Sequence, residues 1–263
     1  MDGLQTVEYQ ILKEFVKICK NNHLQYFLVE GSALGAVRHH GFIPWDDDID
    51  VGLPRKDYIR FLEIAQESLP DYYFLRTYET DPAYHVSYAK IRDSRTTFIE
   101  TSVKDWKINH GVFIDVFPLD YYPESNRKWF RFVDLLQKAR LSTSFSSSAS
   151  PKMKVLQTVS KVLYPNLRST LFKRDKHLRS VENSGKMTNH FSAWKDKEIM
   201  PAEYYGKGTP VQFEDITVLV PENYDGYLQK LYGDYMTPPP VEQRVAHHYS
   251  DVIDLEKPYT AYV

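Results

Sequence analysis

Four aspartates fall within five residues, Asp46-Asp47-Asp48-Ile49-Asp50, and the run passes straight into Val51. Acids this dense beside apolar residues restrict the fold more than any other stretch. On a strand, side chains alternate between faces, so Asp48 and Asp50 point the same way, about 6–7 Å apart at Cα. In apolar surroundings two such carboxylates repel, and a divalent cation relieves the repulsion. A ligand set made only of oxygen favours a hard ion, Mg²⁺ or Mn²⁺, over zinc. The alternatives are an acidic surface loop and a calcium loop. Counted from Asp46, an EF-hand would need glycine at position six and glutamate at position twelve. The chain has Val51 and Asp57 there, so that register fails.

Two further segments bear on the same chemistry. The apolar run 26–29 reads as a buried strand and leads into Gly31-Ser32. With Ser32 as N-cap, residues 33–38 form a short helix whose N-terminus offers N–H groups to a phosphate. Residues 112–117 read as an apolar strand stopped by Pro118, with Asp115 inside it. A carboxylate in such a run is costly unless paired or metal-bound, and a satisfied structural aspartate is the alternative. A strand ending in Gly-Ser, a second with Asp-x-Asp and a third with a lone Asp describe a nucleotidyltransferase-like palm. The expected fold is α+β: a small mixed sheet flanked by helices, with a basic helical insert.

The rest of the chain fits around that sheet. Apolar periodicity predicts helices over 4–19, 54–68, 124–140, 151–163, 167–181 and 224–232, the last closed by Gly233. Residues 72–78, 85–92 and 96–100 read as strands, 211–213 and 216–220 as a hairpin, and the last 30 residues as irregular. A serine-rich stretch, 142–150, reads as a loop. Charge is segregated: between Asn126 and Arg179 stand 13 Lys and Arg against Asp134 and Asp175, a local +11. The whole chain is −2, so the remainder carries −13. The expected division is a catalytic core (1–123), a basic helical insert (124–198) and a C-terminal hairpin, helix and tail packing back on the core (199–263). Near-balanced charge argues against a nucleic-acid partner. The lone Cys19 allows no intrachain disulfide and fits a reducing compartment. No signal-type apolar region opens the chain, and no apolar run approaches the roughly 20 residues of a membrane span. The expectation is a cytoplasmic protein, peripheral on the inner membrane face.

Gly31 to Asp50, Gly111 to Asp120, and Tyr232-Gly233-Asp234-Tyr235-Met236 with its trailing prolines together strongly resemble the signature segments of the LicD family. The similarity runs from about residue 4 to 248. Fukutin and fukutin-related protein are animal members of that family. The resemblance implies a nucleotidyltransferase-superfamily enzyme that moves phosphocholine from CDP-choline to a sugar hydroxyl of a lipid-linked lipopolysaccharide or teichoic acid precursor, releasing CMP. Relatives move ribitol- or glycerol-phosphate. It also implies that Asp48, Asp50 and Asp115 are the catalytic, metal-binding acids, with Mg²⁺ as cofactor, and that Gly31 and Ser32 form the phosphate-side turn. Asp115 would complete the metal site, accept the hydroxyl proton, or do both. Arg38, and Lys90 with Arg92 on one face of a strand, occupy positions that suggest donor contacts.

A quaternary ammonium needs an aromatic box. With 20 Tyr, 14 Phe and 4 Trp, no sequence pattern picks one out. Arg244, His247 and His248 lie in what reads as an ordinary surface tail. Competing readings are a transferase for another CDP-alcohol, a true nucleotidyltransferase, and a non-catalytic membrane-associated binding module. The lysine-rich helices of the insert, with apolar rows beside Lys152, Lys154 and Lys161, suit an anionic membrane surface. The alternative is a helical subdomain with solvated lysines.

Overall fold

A computed structural model describes residues 1–145, 149–246 and 249–263. Helix α1 (Gly3–Asn21) is started by a reciprocal cap: the Asp2 carboxylate accepts from the Gln5 N–H, and the Gln5 side chain accepts from the Asp2 N–H. Its stripe of Ile11, Leu12, Phe15 and Ile18 is buried against the sheet. Strand β1 (Phe27–Leu28) and helix α2 (Glu30–His39) follow. Next come β2 (Asp50–Pro54), α3 (Arg55–Ser68), β3 (Tyr73–Arg76), β4 (Ala89–Asp93), β5 (Thr97–Glu100) and β6 (Val112–Tyr121). The basic region holds α4 (Arg127–Leu141), α5 (Pro151–Leu163) and α6 (Leu167–Leu178). The chain continues with β7 (Lys186–Thr188), β8 (Met200–Pro201), the hairpin β9 (Thr209–Phe213) and β10 (Ile216–Val220), α7 (Tyr224–Tyr232) and β11 (Ser250–Asp254).

The principal sheet is mixed. Its order is β1-β2-β6-β4-β3, with β7 on the far end of β6 and β8 beside β7. Only β2 and β6 run parallel; the other pairings are antiparallel. β6 is central and buried along nearly its whole length, as expected of a strand covered on both faces. The register aligns one row across four strands: Asp50 opposite Asp115, Asp115 opposite Lys90, and Lys90 opposite Arg76.

Three sequence expectations need correction. Pro118 does not stop its strand; β6 continues to Tyr121. The Asp115 N–H donates to the Ile49 carbonyl on the β2 side, so the nitrogen three residues on faces the other way. There the ladder to β4 ends at Val116 and that to β7 begins at Asp120, so the missing N–H falls in a gap. Helix α2 begins at Glu30, with Val29 in the N-cap position and no side-chain cap, so Ser32 lies inside its first turn. The tail is not wholly irregular, because β11 adds antiparallel to β5.

In the basic region α4 packs against α5 and α6. The Arg174 guanidinium pairs with Asp134 at 3.1 Å, and Arg140 donates to the carbonyls of Tyr164 and Pro165. Arg55 ties this region to the sheet: it binds Asp120 of β6 with two nitrogens, at 2.7 and 2.6 Å, and Asp175 of α6 at 2.7 Å. Among the described residues no helix is long and apolar enough to cross a membrane.

Candidate active site

A cleft of about 720 Å³ opens beside the start of β2 and the first turn of α2; Asp115 does not line it. Glu30, Gly31, Arg38, Asp46, Asp48 and Asp50 line it. Its lining is also aromatic and proline-rich, with Trp45, Trp194, Tyr232, Tyr235 and Pro238 to Pro240. Trp194 and Tyr232 meet edge to face at 4.8 Å.

The acidic loop is held from two directions. The buried Gln5 amide donates to the carbonyls of Ile43 and Asp46, at 3.3 and 2.9 Å. From α2, the Ser32 hydroxyl accepts from the Asp50 N–H at 2.8 Å. Ser32 therefore fixes the start of β2 rather than capping its own helix. A Cβ on Gly31 would lie 2.9 Å from an Asp46 carboxylate oxygen, so glycine allows that acid to close on the helix N-terminus. Asp48 precedes the strand and Asp50 opens it. The oxygens of Asp46, Asp47 and Asp48 come within 4.8 Å of one another. Asp50 and Asp115 form the adjoining row, on neighbouring strands about 5 Å apart.

The electrostatics are dominated by like charge. Burial, then Asp48, Glu30 and Asp115, push the Asp50 carboxyl well above the usual aspartate range. Glu30 is the site residue that sequence reasoning missed. It has a positive φ of 49° at the start of α2, and its N–H donates to the Tyr227 hydroxyl. Burial raises it to about 7, against hydrogen bonds from Ser192 and Asn189 that lower it, while Asp48 and Asp115 raise it further. Its Oε1 accepts from the Asn189 amide at 2.9 Å. Behind it, Tyr227 donates to the buried Glu198, itself raised by desolvation. The set of carboxylate oxygens, crowded enough to disfavour their own charges, fits a hard divalent cation.

The expected basic residues separate. Arg38 lines the cleft, but one guanidinium nitrogen donates to the Tyr235 carbonyl at 2.7 Å, so it also anchors the segment that carries Tyr235. Lys90 is buried and pairs with Asp115 at 2.8 Å, its ammonium 3.4 Å from the Phe113 ring centre. Arg92 lies on the same face, and neither it nor Lys90 lines the cleft. It is wholly buried, donates to the Gly111 carbonyl and pairs with Glu100 at 2.7 Å. Arg244 leans over the Trp45 ring at 5.0 Å, so the tail does reach the cleft; His247 and His248 lie outside the described residues.

The profile of the LicD/FKTN/FKRP nucleotidyltransferase domain matches residues 23–166. The lipopolysaccharide cholinephosphotransferase LicD of Haemophilus influenzae is 32% identical over 256 residues, covering 93% of this chain and 94% of that protein. An uncharacterised protein of Rickettsia prowazekii is 31% identical over 117 residues, covering 44% of this chain and 40% of its own length.

Proposed function

The chain belongs to the LicD family, and we propose that it is a phosphotransferase moving phosphocholine from CDP-choline to a hydroxyl of a lipopolysaccharide-type glycan. The observation that carries this reading is that one cleft is lined by both carboxylates and aromatic rings. Asp46, Asp48 and Asp50 line it together with Trp194 and Tyr232, and Glu30 and Gly31 of the α2 N-terminus line it too. Such a site suits a donor that is anionic at its pyrophosphate and cationic at its choline. The near-full-length similarity to a lipopolysaccharide cholinephosphotransferase supports the same transferred group and acceptor class.

The reaction is an in-line displacement. A bond forms between the acceptor oxygen and the phosphorus bearing choline, the anhydride bond to CMP breaks, and CMP leaves. Mg²⁺, held by carboxylates of Asp48 and Asp50, would neutralise the donor pyrophosphate. The N–H groups of the first turn of α2, at Gly31 and Ser32, face the same charge. Asp115, oriented by Lys90, completes the acidic set or takes the acceptor proton. Burial beside the acidic set pushes the Glu30 carboxyl up to about 7, which eases the crowding of negative charge there. Trp45, Trp194 and Tyr232 give the trimethylammonium aromatic faces.

The test is a panel of CDP-choline, CDP-ribitol and CDP-glycerol with a lipopolysaccharide acceptor, read by product mass. Phosphocholine on the acceptor, formed from CDP-choline in preference to the others, is the expected result. Preferred transfer from another donor, or release of pyrophosphate, would reassign the chemistry.

A further inference from the structure

Helix α5 exposes an apolar row that none of the described residues covers. Val155, Val159 and Val162 follow one another at i, i+4 and i+7, with 66%, 46% and 79% of their surface accessible. A row at this spacing normally faces a core. Here the core side is the opposite one, where Ser160 is fully buried and the Gln157 amide donates to the Ser142 hydroxyl.

Exposed lysines fence the row: Lys152 on one flank, Lys154 and Lys161 on the other. No acid occurs in the helix, and the surrounding segment from Asn126 to Arg179 carries +11. An apolar stripe bordered by long cationic side chains matches a surface that is apolar inside and anionic outside. The valines enter the acyl boundary, and the lysine stems lie along it with their ammonium groups at the headgroups. We infer that α5 docks this protein on an anionic lipid bilayer, with Val155, Val159 and Val162 inserted and the three lysines on the headgroups. The inference goes beyond the transfer reaction and does not rest on it.

The test is cosedimentation of the full chain with vesicles of phosphatidylcholine alone or mixed with phosphatidylglycerol, at low and high salt. Binding to the anionic vesicles at low salt, weakened by high salt, is expected. The K152Q/K154Q/K161Q triple variant should partition about a hundredfold less, at about 1 kcal/mol per basic residue. A V155S/V159S/V162S variant should also bind less, including the part of the binding that survives high salt. These residues are exposed, so circular dichroism should match the wild type for both variants. No binding to anionic vesicles, or variants that bind as the wild type does, would overturn the inference. So would a wild-type dimer that the serine variant dissolves, because a second copy would then cover the row.

Discussion

Asp50 carries the largest conflict in the site. The fold partly buries it beside Asp48, Glu30 and Asp115, so its charge is disfavoured until a cation is present. Asp50→Asn should therefore leave the melting temperature of the metal-free protein unchanged or raised, while lowering transfer at least a hundredfold, on the order of 3 kcal/mol of transition-state stabilisation. Transfer rates and thermal melts on one preparation check both halves. Glu30 makes a pH prediction. Its carboxyl is at about 7 in the fold against an ordinary 4.5, so the folded state holds the proton more tightly than the unfolded chain. The stability this lends is complete below about 4.5 and is lost as pH rises through 7, on the order of 3 kcal/mol. Glu30→Gln should flatten that slope in metal-free denaturant titrations from pH 4.5 to 8. Asp48, Asp50 and Asp115 were legible in the sequence because acids beside or inside apolar strand residues are costly without a partner. Glu30 was not. Its environment comes from Asn189, 159 residues away, and Tyr227, 197 residues away.

At the scale of elements, the acidic loop depends on α2 lying close beneath it. A Cβ on Gly35 would lie 2.6 Å from the Gly41 carbonyl and 3.3 Å from the Ile43 nitrogen, both backbone atoms of the turn that leads to Asp46. Gly35→Ala should therefore displace that turn, costing about 1–3 kcal/mol in stability as an overpacked site does. Transfer should fall as well, because Asp46 to Asp48 move with the turn. Chemical denaturation and a rate measurement test this; an alanine variant with wild-type rate would show that the loop is not set by this contact. Helices α5 and α7 and the β9–β10 hairpin were readable from periodicity and from Gly233 because those signals are local. The passage of β6 through Pro118 was not, since it depends on a gap between two neighbouring ladders that only the assembled sheet creates. β11 was missed for the same kind of reason: the short Ser250–Asp254 segment becomes a strand by pairing with β5, some 150 residues earlier.

For the whole molecule, the charge segregation seen in the sequence separates two surfaces. Glu30, Asp46, Asp48, Asp50 and Asp234 line the cleft, and most of the excess cations lie on helices that Arg55 ties to the sheet through Asp120 and Asp175. The aromatic lining was not legible, because Trp194 meets Tyr232 across 38 residues of chain and nothing local marks either one among so many aromatics. The central claim is that this cleft transfers phosphocholine intact. Incubating the full-length protein with CDP-choline, Mg²⁺ and a lipopolysaccharide acceptor, and quantifying CMP and acceptor-bound phosphocholine together, tests it most directly. The account predicts equal amounts of the two, both abolished by Asp50→Asn. Acceptor left unmodified by the wild-type protein, or product formed undiminished by the Asp50→Asn variant, would contradict it.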